Sequence, residues 1–314
     1  MNKVLLIVLA VLVVVVLAVY LYPTPRKSFA ELYARVDEAT AVSLQSFRQS
    51  HPAQQLEVDG QTWEYVHFGH GEQTILFLHG MTGSYDIWWQ VMENVADDYQ
   101  VISVTYPPVD SLDGMAQGIL AILQKEEVKL VHLVGSSLGG YFAQYLVAAY
   151  PEMVVERLPF ATAVFANTFP PNDIIAEENK TLGGLLSVIP EWAIMGVLKG
   201  STEDGLYPAS GNSELVRAFV LEQAYGRMSK AQFMARYHAV IDPFTAPDLA
   251  AVGIPVMIIE ADNDPLVAEP LREMLKATYP EAAVHTLHAV GHFPYLNEPE
   301  MYTKLLVEFW ENES

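Results

Sequence analysis

A serine set between two glycines is the clearest candidate nucleophile in this chain of 314 residues. The run Gly135-Ser136-Ser137-Leu138-Gly139 follows an apolar stretch, Lys129 to Val134, and precedes a stretch of helical spacing, Tyr141 to Tyr150, that Pro151 closes. Strand, pinched turn and helix in that order form a nucleophile elbow. So abrupt a reversal crowds the positions two residues before and after its tip, where glycine removes the Cβ. Gly135 and Gly139 flank Ser137 in this way, whereas a tip at Ser136 would place Val134 and Leu138 there. Ser137 is therefore expected at the tip, its hydroxyl above the sheet and at the positive end of the following helix.

A serine hydroxyl reacts only when a base takes its proton, and acyl transfer also needs fixed N–H donors for the oxyanion. Thr74 to Leu78 reads as a buried strand running into the glycine-rich turn His79-Gly80-Met81-Thr82-Gly83-Ser84, which can supply one donor. Near the other end, a strand at Val256 to Glu260 leads into Asp262-Asn263-Asp264. A strand at Ala283 to Leu287 then leads to Gly291-His292. His67 with His70, and His285 with His288, are three apart; on strands such pairs face opposite sides, so neither chelates one metal.

The elements that must carry these groups alternate. Leu56 onward is a hairpin turned at Asp59-Gly60. Helices are expected at Ile87 to Ala96 and Ser111 to Lys125, and strands at Gln100 to Tyr106 and Phe160 to Asn167, which implies a mostly parallel central sheet with helices on both faces. Between Thr168 and Thr245 the alternation stops. Helices near Gly184 to Lys199, Ser213 to Tyr225 and Ser229 to Val240 form a helical cap (168–245) over the ligand crevice. The first of these, with Leu185, Leu186, Val188, Ile189, Trp192, Ile194, Met195 and Val197, is apolar nearly all round, which implies burial, an apolar channel or contact with lipid.

Composition narrows the setting. The formal charge of −21 argues against nucleic acid as a partner, and the absence of cysteine excludes disulfides, thiol nucleophiles and thiolate metal sites. Val4 to Tyr22 carries no charge and is long enough to cross a bilayer. It is too long for the apolar part of a cleaved signal, and no Ala-x-Ala site follows. The expectation is a single-pass N-terminal membrane anchor (1–27), a helical spacer along Ser28 to Ser50 (28–55) with Phe29, Leu32, Val36 and Leu44 on one stripe, and a body at 56–314. Lys3 with the amino terminus balances Arg26, Lys27 and Arg35, so the charges assign the body to neither side.

With His79-Gly80, Gly135 to Gly139, Asp264-Pro265-Leu266-Val267 and Gly291-His292 in place, the chain resembles the α/β-hydrolase superfamily over about Leu56 to Trp310. The resemblance implies an α/β-hydrolase fold, with Ser137 as nucleophile, His292 as base and Asp264 as orienter, Asp262 standing second for that role. It implies Met81 and Leu138 as oxyanion donors, and no cofactor or metal. A narrower likeness to maspardin-like members lies in Val131 to Gln144, Phe165 to Phe169, and Tyr279-Pro280 with Phe293-Pro294-Tyr295. The expected activity is hydrolysis of a small-molecule carboxylic ester, with an apolar acyl group, through an acyl-serine. Other readings stay open: a non-catalytic maspardin-like binding protein, and thioesterase, amidase, C–C hydrolase or cofactor-free peroxidase chemistry on the same machinery. Dehalogenase and epoxide-hydrolase relatives carry aspartate where Ser137 stands.

Overall fold

The computed structural model describes residues 3–150 and 160–313, with 178–182 and 185 described by backbone alone. The expected stop at Pro151 and the Leu185 side chain lie outside the described residues. Asp59 and Gly60 both take positive φ, the backbone of a tight hairpin turn, and join β1 (Gln54–Val58) to β2 (Gln61–Gly69). The remaining strands are β3 (Thr74–Leu78), β4 (Gln100–Thr105), β5 (Val131–Ser136), β6 (Phe160–Ala166), β7 (Val256–Ala261) and β8 (Ala283–Leu287). They form one eight-stranded sheet in the order β1-β2-β4-β3-β5-β6-β7-β8, antiparallel at β1-β2-β4 and parallel from β4 onward.

Alternation along the central strands divides the interior in two. Ile75, Phe77, Val134, Val164, Met257 and Ile259 face one core with Trp88, Met92, Tyr302 and Trp310. Leu76, Leu78, Leu133, Phe165 and Ile258 face the other with Ile119, Phe142 and Leu271. Both faces are covered by helices, as parallel strands require. The chain leaves β3 toward β4 and returns across it to β5, so the strand order reverses between β3 and β5. In open sheets of this kind ligands bind outside the carboxyl ends of the strands at such a reversal.

The α-helices of four residues or more among the described residues are α1 (Lys3–Tyr20), α2 (Phe29–Leu32), α3 (Glu38–Ser50), α4 (Trp89–Val95), α5 (Leu112–Lys125), α6 (Leu138–Ala149), α7 (Asp173–Val188), α8 (Glu191–Ser201), α9 (Glu214–Glu222), α10 (Lys230–Val240), α11 (Glu269–Thr278), α12 (Pro294–Asn297) and α13 (Pro299–Asn312). Two expectations need correction. The segment after the apolar helix is two helices, because Ser28 and Asp37 each cap a fresh start. The helix expected over Gly184 to Lys199 is interrupted at Ile189-Pro190, where extended backbone separates α7 from α8.

Leu32, Tyr33, Leu44 and Phe47 pack into the first core, so α2 and α3 are braced against the body. Charge completes the brace. Arg48 on α3 donates to the buried Asp86 carboxylate at 2.6 Å and to Glu222 of α9 at 2.8 and 3.0 Å. Arg227 and Ser84 also donate to Asp86. Burial by itself would raise the Asp86 pKa, but the Arg227 and Arg48 charges outweigh it and hold the carboxyl well below the usual range. A depressed carboxylate stabilises the fold above its unfolded pKa of about 4 and loses that contribution as pH falls toward the folded value. Arg48→Met should cost about 2 kcal/mol, since it removes three charge-assisted hydrogen bonds and leaves Arg227 as the one arginine donating to Asp86. Across urea midpoints recorded from pH 7 to 3, the gap between the two proteins should hold near neutral pH and begin to narrow as pH falls below about 4.

Candidate active site

The elbow forms as the glycines require. Ser137 follows the last residue of β5 and caps α6 with φ 55 and ψ −123, a backbone conformation that costs on the order of 1–3 kcal/mol outside glycine. A Cβ on Gly135 would lie 2.3 Å from the Gly139 carbonyl oxygen, and one on Gly139 would lie 2.0 Å from that of Leu78. The second contact docks the start of α6 against the end of β3. Gly80 consequently sits beside the serine, where a Cβ would meet Ser137 Cβ at 3.0 Å and Oγ at 3.5 Å.

Met81 follows Gly80 in this turn. Neither the Met81 nor the Leu138 N–H donates to a carbonyl or side chain among the described residues, so both are available to an incoming oxygen. The turn is fixed from behind by two groups that sequence reasoning left unassigned. Burial and the Arg236 charge hold the His79 pKa well below the ordinary imidazole value. The neutral ring donates from Nδ1 to the Gly80 carbonyl at 2.6 Å and accepts the Tyr106 N–H at Nε2. Arg236 of α10, fully enclosed, donates to the carbonyls of Met81 (2.7 Å), Gly83 (3.0 Å) and Tyr106 (3.2 Å). Burial lowers its pKa to about 10, so it is still a cation at neutral pH.

The acid and the histidine meet. His292 Nδ1–H donates to Asp264 at 2.8 Å (Oδ2) and 3.0 Å (Oδ1), leaving Nε2 as the basic nitrogen. Asp264 also accepts the Leu266 and Val267 N–H groups. Burial would raise its pKa, but the His292 charge and the hydrogen bonds from His292 and Asn167 more than offset it, and the net shift is downward. Asp262 is placed elsewhere, in an exposed pair with His288 at 2.7 Å.

Asn167 links the two halves. It stands just past β6 with φ 44, immediately after Ala166, whose carbonyl accepts the Ser137 N–H at 3.0 Å. Its Nδ2 donates to Asp264 at 2.8 Å and reaches the Gly291 carbonyl at 3.4 Å. No hydrogen bond joins Ser137 Oγ to His292 among the described residues; serine elbow and histidine loop are connected through Asn167. The readable signal was Asn167 itself, an amide directly after the apolar run Ala163 to Ala166.

This architecture and the family match agree: the alpha/beta hydrolase family model aligns with residues 75–304, and the chain belongs to that family. Similar proteins include the uncharacterised hydrolase YugF of Bacillus subtilis, 22% identical over 82% of this chain and 97% of its own length. Maspardin of Danio rerio is 23% identical over 80% and 79%, and esterase YbfF of Escherichia coli 21% over 74% and 90%. Among solved structures, a hydrolase of Pseudomonas aeruginosa PA01 aligns with TM-score 0.70 at 19% identity, covering 82% of this chain and 98% of its own. A bacterial membrane phospholipase A aligns at 0.65 and 17%, covering 100% and 99%. At these identities the two structures share the fold.

The elbow packing makes a paired prediction. Gly139→Ala should destabilise by about 3 kcal/mol, since its methyl would press on backbone that cannot yield. Gly184→Ala, in a helix with nothing within 4 Å of the new methyl, should stabilise by roughly 0.5–1 kcal/mol. Thermal melts of the two variants should therefore shift in opposite directions.

Proposed function

We propose that this protein is a membrane-anchored serine hydrolase that cleaves carboxylic esters through an acyl-serine intermediate. The observation that carries the reading is the buried Asp264–His292 hydrogen bond, tied by Asn167 to the strand end beside Ser137. His292 Nε2 takes the Ser137 proton as Oγ attacks the ester carbonyl, then returns it to the departing alcohol; water repeats the cycle on the acyl-serine. Asp264 holds the imidazole in the required tautomer and stabilises its cation. The free N–H groups of Met81 and Leu138 support a role as oxyanion donors, worth about 3 kcal/mol each. Ser137 Oγ and His292 Nε2 would come within hydrogen-bond reach as substrate binds, since catalytic hydrogen bonds are often long beforehand.

The anchor is α1, whose eighteen residues have mean hydropathy 3.1 and no buried member. The alignment of a membrane phospholipase A over the whole chain supports this reading. Likeness to maspardin, together with the absent Ser137–His292 bond, favours one alternative, a membrane-tethered binding protein.

Fluorophosphonate labelling separates the two. An enzyme is labelled, and Ser137→Ala abolishes both labelling and turnover of p-nitrophenyl esters. Asp264→Asn should lower kcat by about 10⁴-fold, while Asp262→Asn, which alters only an exposed pair, should stay within about twofold of wild type. No labelling of the intact protein would leave the binding role. A series of esters of rising chain length tests the apolar acyl preference, which activity confined to short chains would refute.

A further inference from the structure

The α7–α8 pair has two unlike sides. Inward, Leu186 and Ile194 are buried with Tyr237 in a cluster that also touches Met81 of the glycine turn. Outward, Val188 and Val197 are 66% and 69% exposed. Burial, the first expectation for this apolar stretch, accounts for the inner side alone.

What adjoins the outer side is the end of the apolar helix. Trp192 Nε1–H donates to the Val19 carbonyl at 2.8 Å, one of the last carbonyls of α1, which the helix itself leaves unpaired. The Tyr22 ring meets the Trp192 ring edge-on at 6.4 Å. Lys230 lies over the Tyr20 ring and donates to the Ser187 and Ile189 carbonyls at the α7–α8 junction, both at 2.7 Å. Thr24 donates to Glu191 at the start of α8. The junction between the two helices is thus the seat on which α1 ends.

That collar has the chemistry of a membrane boundary. Tyr20, Tyr22 and Trp192 are the residue types that concentrate where hydrocarbon gives way to headgroups. In a chain of charge −21, four cations lie along this segment and α8, with the acids Glu191 and Glu203 among them: Arg26 against Gly226, Lys27 and Lys199 over the Tyr225 ring at 4.7 and 3.9 Å, and Lys230 at the junction. Such a cluster complements lipid phosphates. If α1 enters a bilayer, Val188 and Val197 are carried to its surface.

We propose that the outer side of α7–α8 rests in the headgroup region of the bilayer that α1 enters, so that the ester reaching Ser137 is a membrane lipid arriving past this helix pair. The proposal rests on the anchor and ester-hydrolase reading above, and it adds the route and the substrate class. The α7–α8 pair, with Tyr237 of α10 packed against it, then lies between Met81 and lipid.

The chain has no cysteine, so Val188→Cys, Val197→Cys and, on the edge strand β8, Val284→Cys each accept one spin label. The full-length protein is reconstituted in vesicles of phosphatidylcholine with phosphatidylglycerol. Labels at 188 and 197 should be relaxed by oxygen and shielded from an aqueous nickel chelate, while that at 284 stays open to the chelate. A Val188→Asp, Val197→Asp double variant should lose about tenfold in kcat/KM on the vesicle phospholipid, about 1.4 kcal/mol, with hydrolysis of p-nitrophenyl butyrate unchanged. Chelate access at 188 and 197 in protein that floats with the vesicles overturns this proposal alone, as does spin–spin broadening from a second copy covering the patch. Protein that fails to float overturns the anchor as well. Shielded labels without any ester hydrolysis uphold the surface and overturn the enzyme reading.

Discussion

The arrangement depends on one close approach, that of the Leu78 carbonyl to Gly139. With no side chain at Gly139, the end of β3 and the start of α6 come closer than any other residue would permit. Two structures with separate origins in the sequence, the turn after β3 and the elbow after β5, are thereby pressed together at the reversal in strand order. Gly80 lands against Ser137, one residue before Met81. The strained backbone at Ser137 persists because this packing leaves it no alternative.

Around that contact, polar groups are satisfied in a way that fixes positions. Asp264 accepts from His292, Asn167 and two backbone N–H groups, so it can hardly turn without leaving buried donors unpaired. His79 and Arg236 do the same for the glycine turn. The ionic brace of Arg48, Asp86, Glu222 and Arg227 lies farther out. It ties the segment that follows the apolar helix to the body through α9.

Much of this was legible because the glycines, the buried runs and the hairpin report local backbone demands. Strand positions came out within two residues, and Ser137 could be told from Ser136 by the Cβ argument alone. The preference for Asp264 over Asp262 came from the family resemblance, since both follow the same strand; what separates them physically is that one carboxylate turns inward to His292 and the other outward to His288. Arg236 was hidden for a related reason. An arginine on an amphipathic helix looks like a surface residue, and only the tertiary fold supplies three carbonyls for it to enclose. The break at Ile189-Pro190 was available in the proline, but the continuous apolar pattern across it masked the change of direction.

The grip of Arg236 on Met81, Gly83 and Tyr106, matched on the other flank by Asn263 donating to the Ala209 carbonyl at 2.7 Å, bears on how such a chain could be re-engineered. The segment between β6 and β7 is not a detachable cassette. Excising it, or grafting another in its place, would strip hydrogen bonds from three loop carbonyls, at roughly 1–3 kcal/mol for each left buried. Sheet and insert are therefore one cooperative unit, and new specificity is more accessible through point changes on the inner side of α7 and α8 than through exchange of the whole segment.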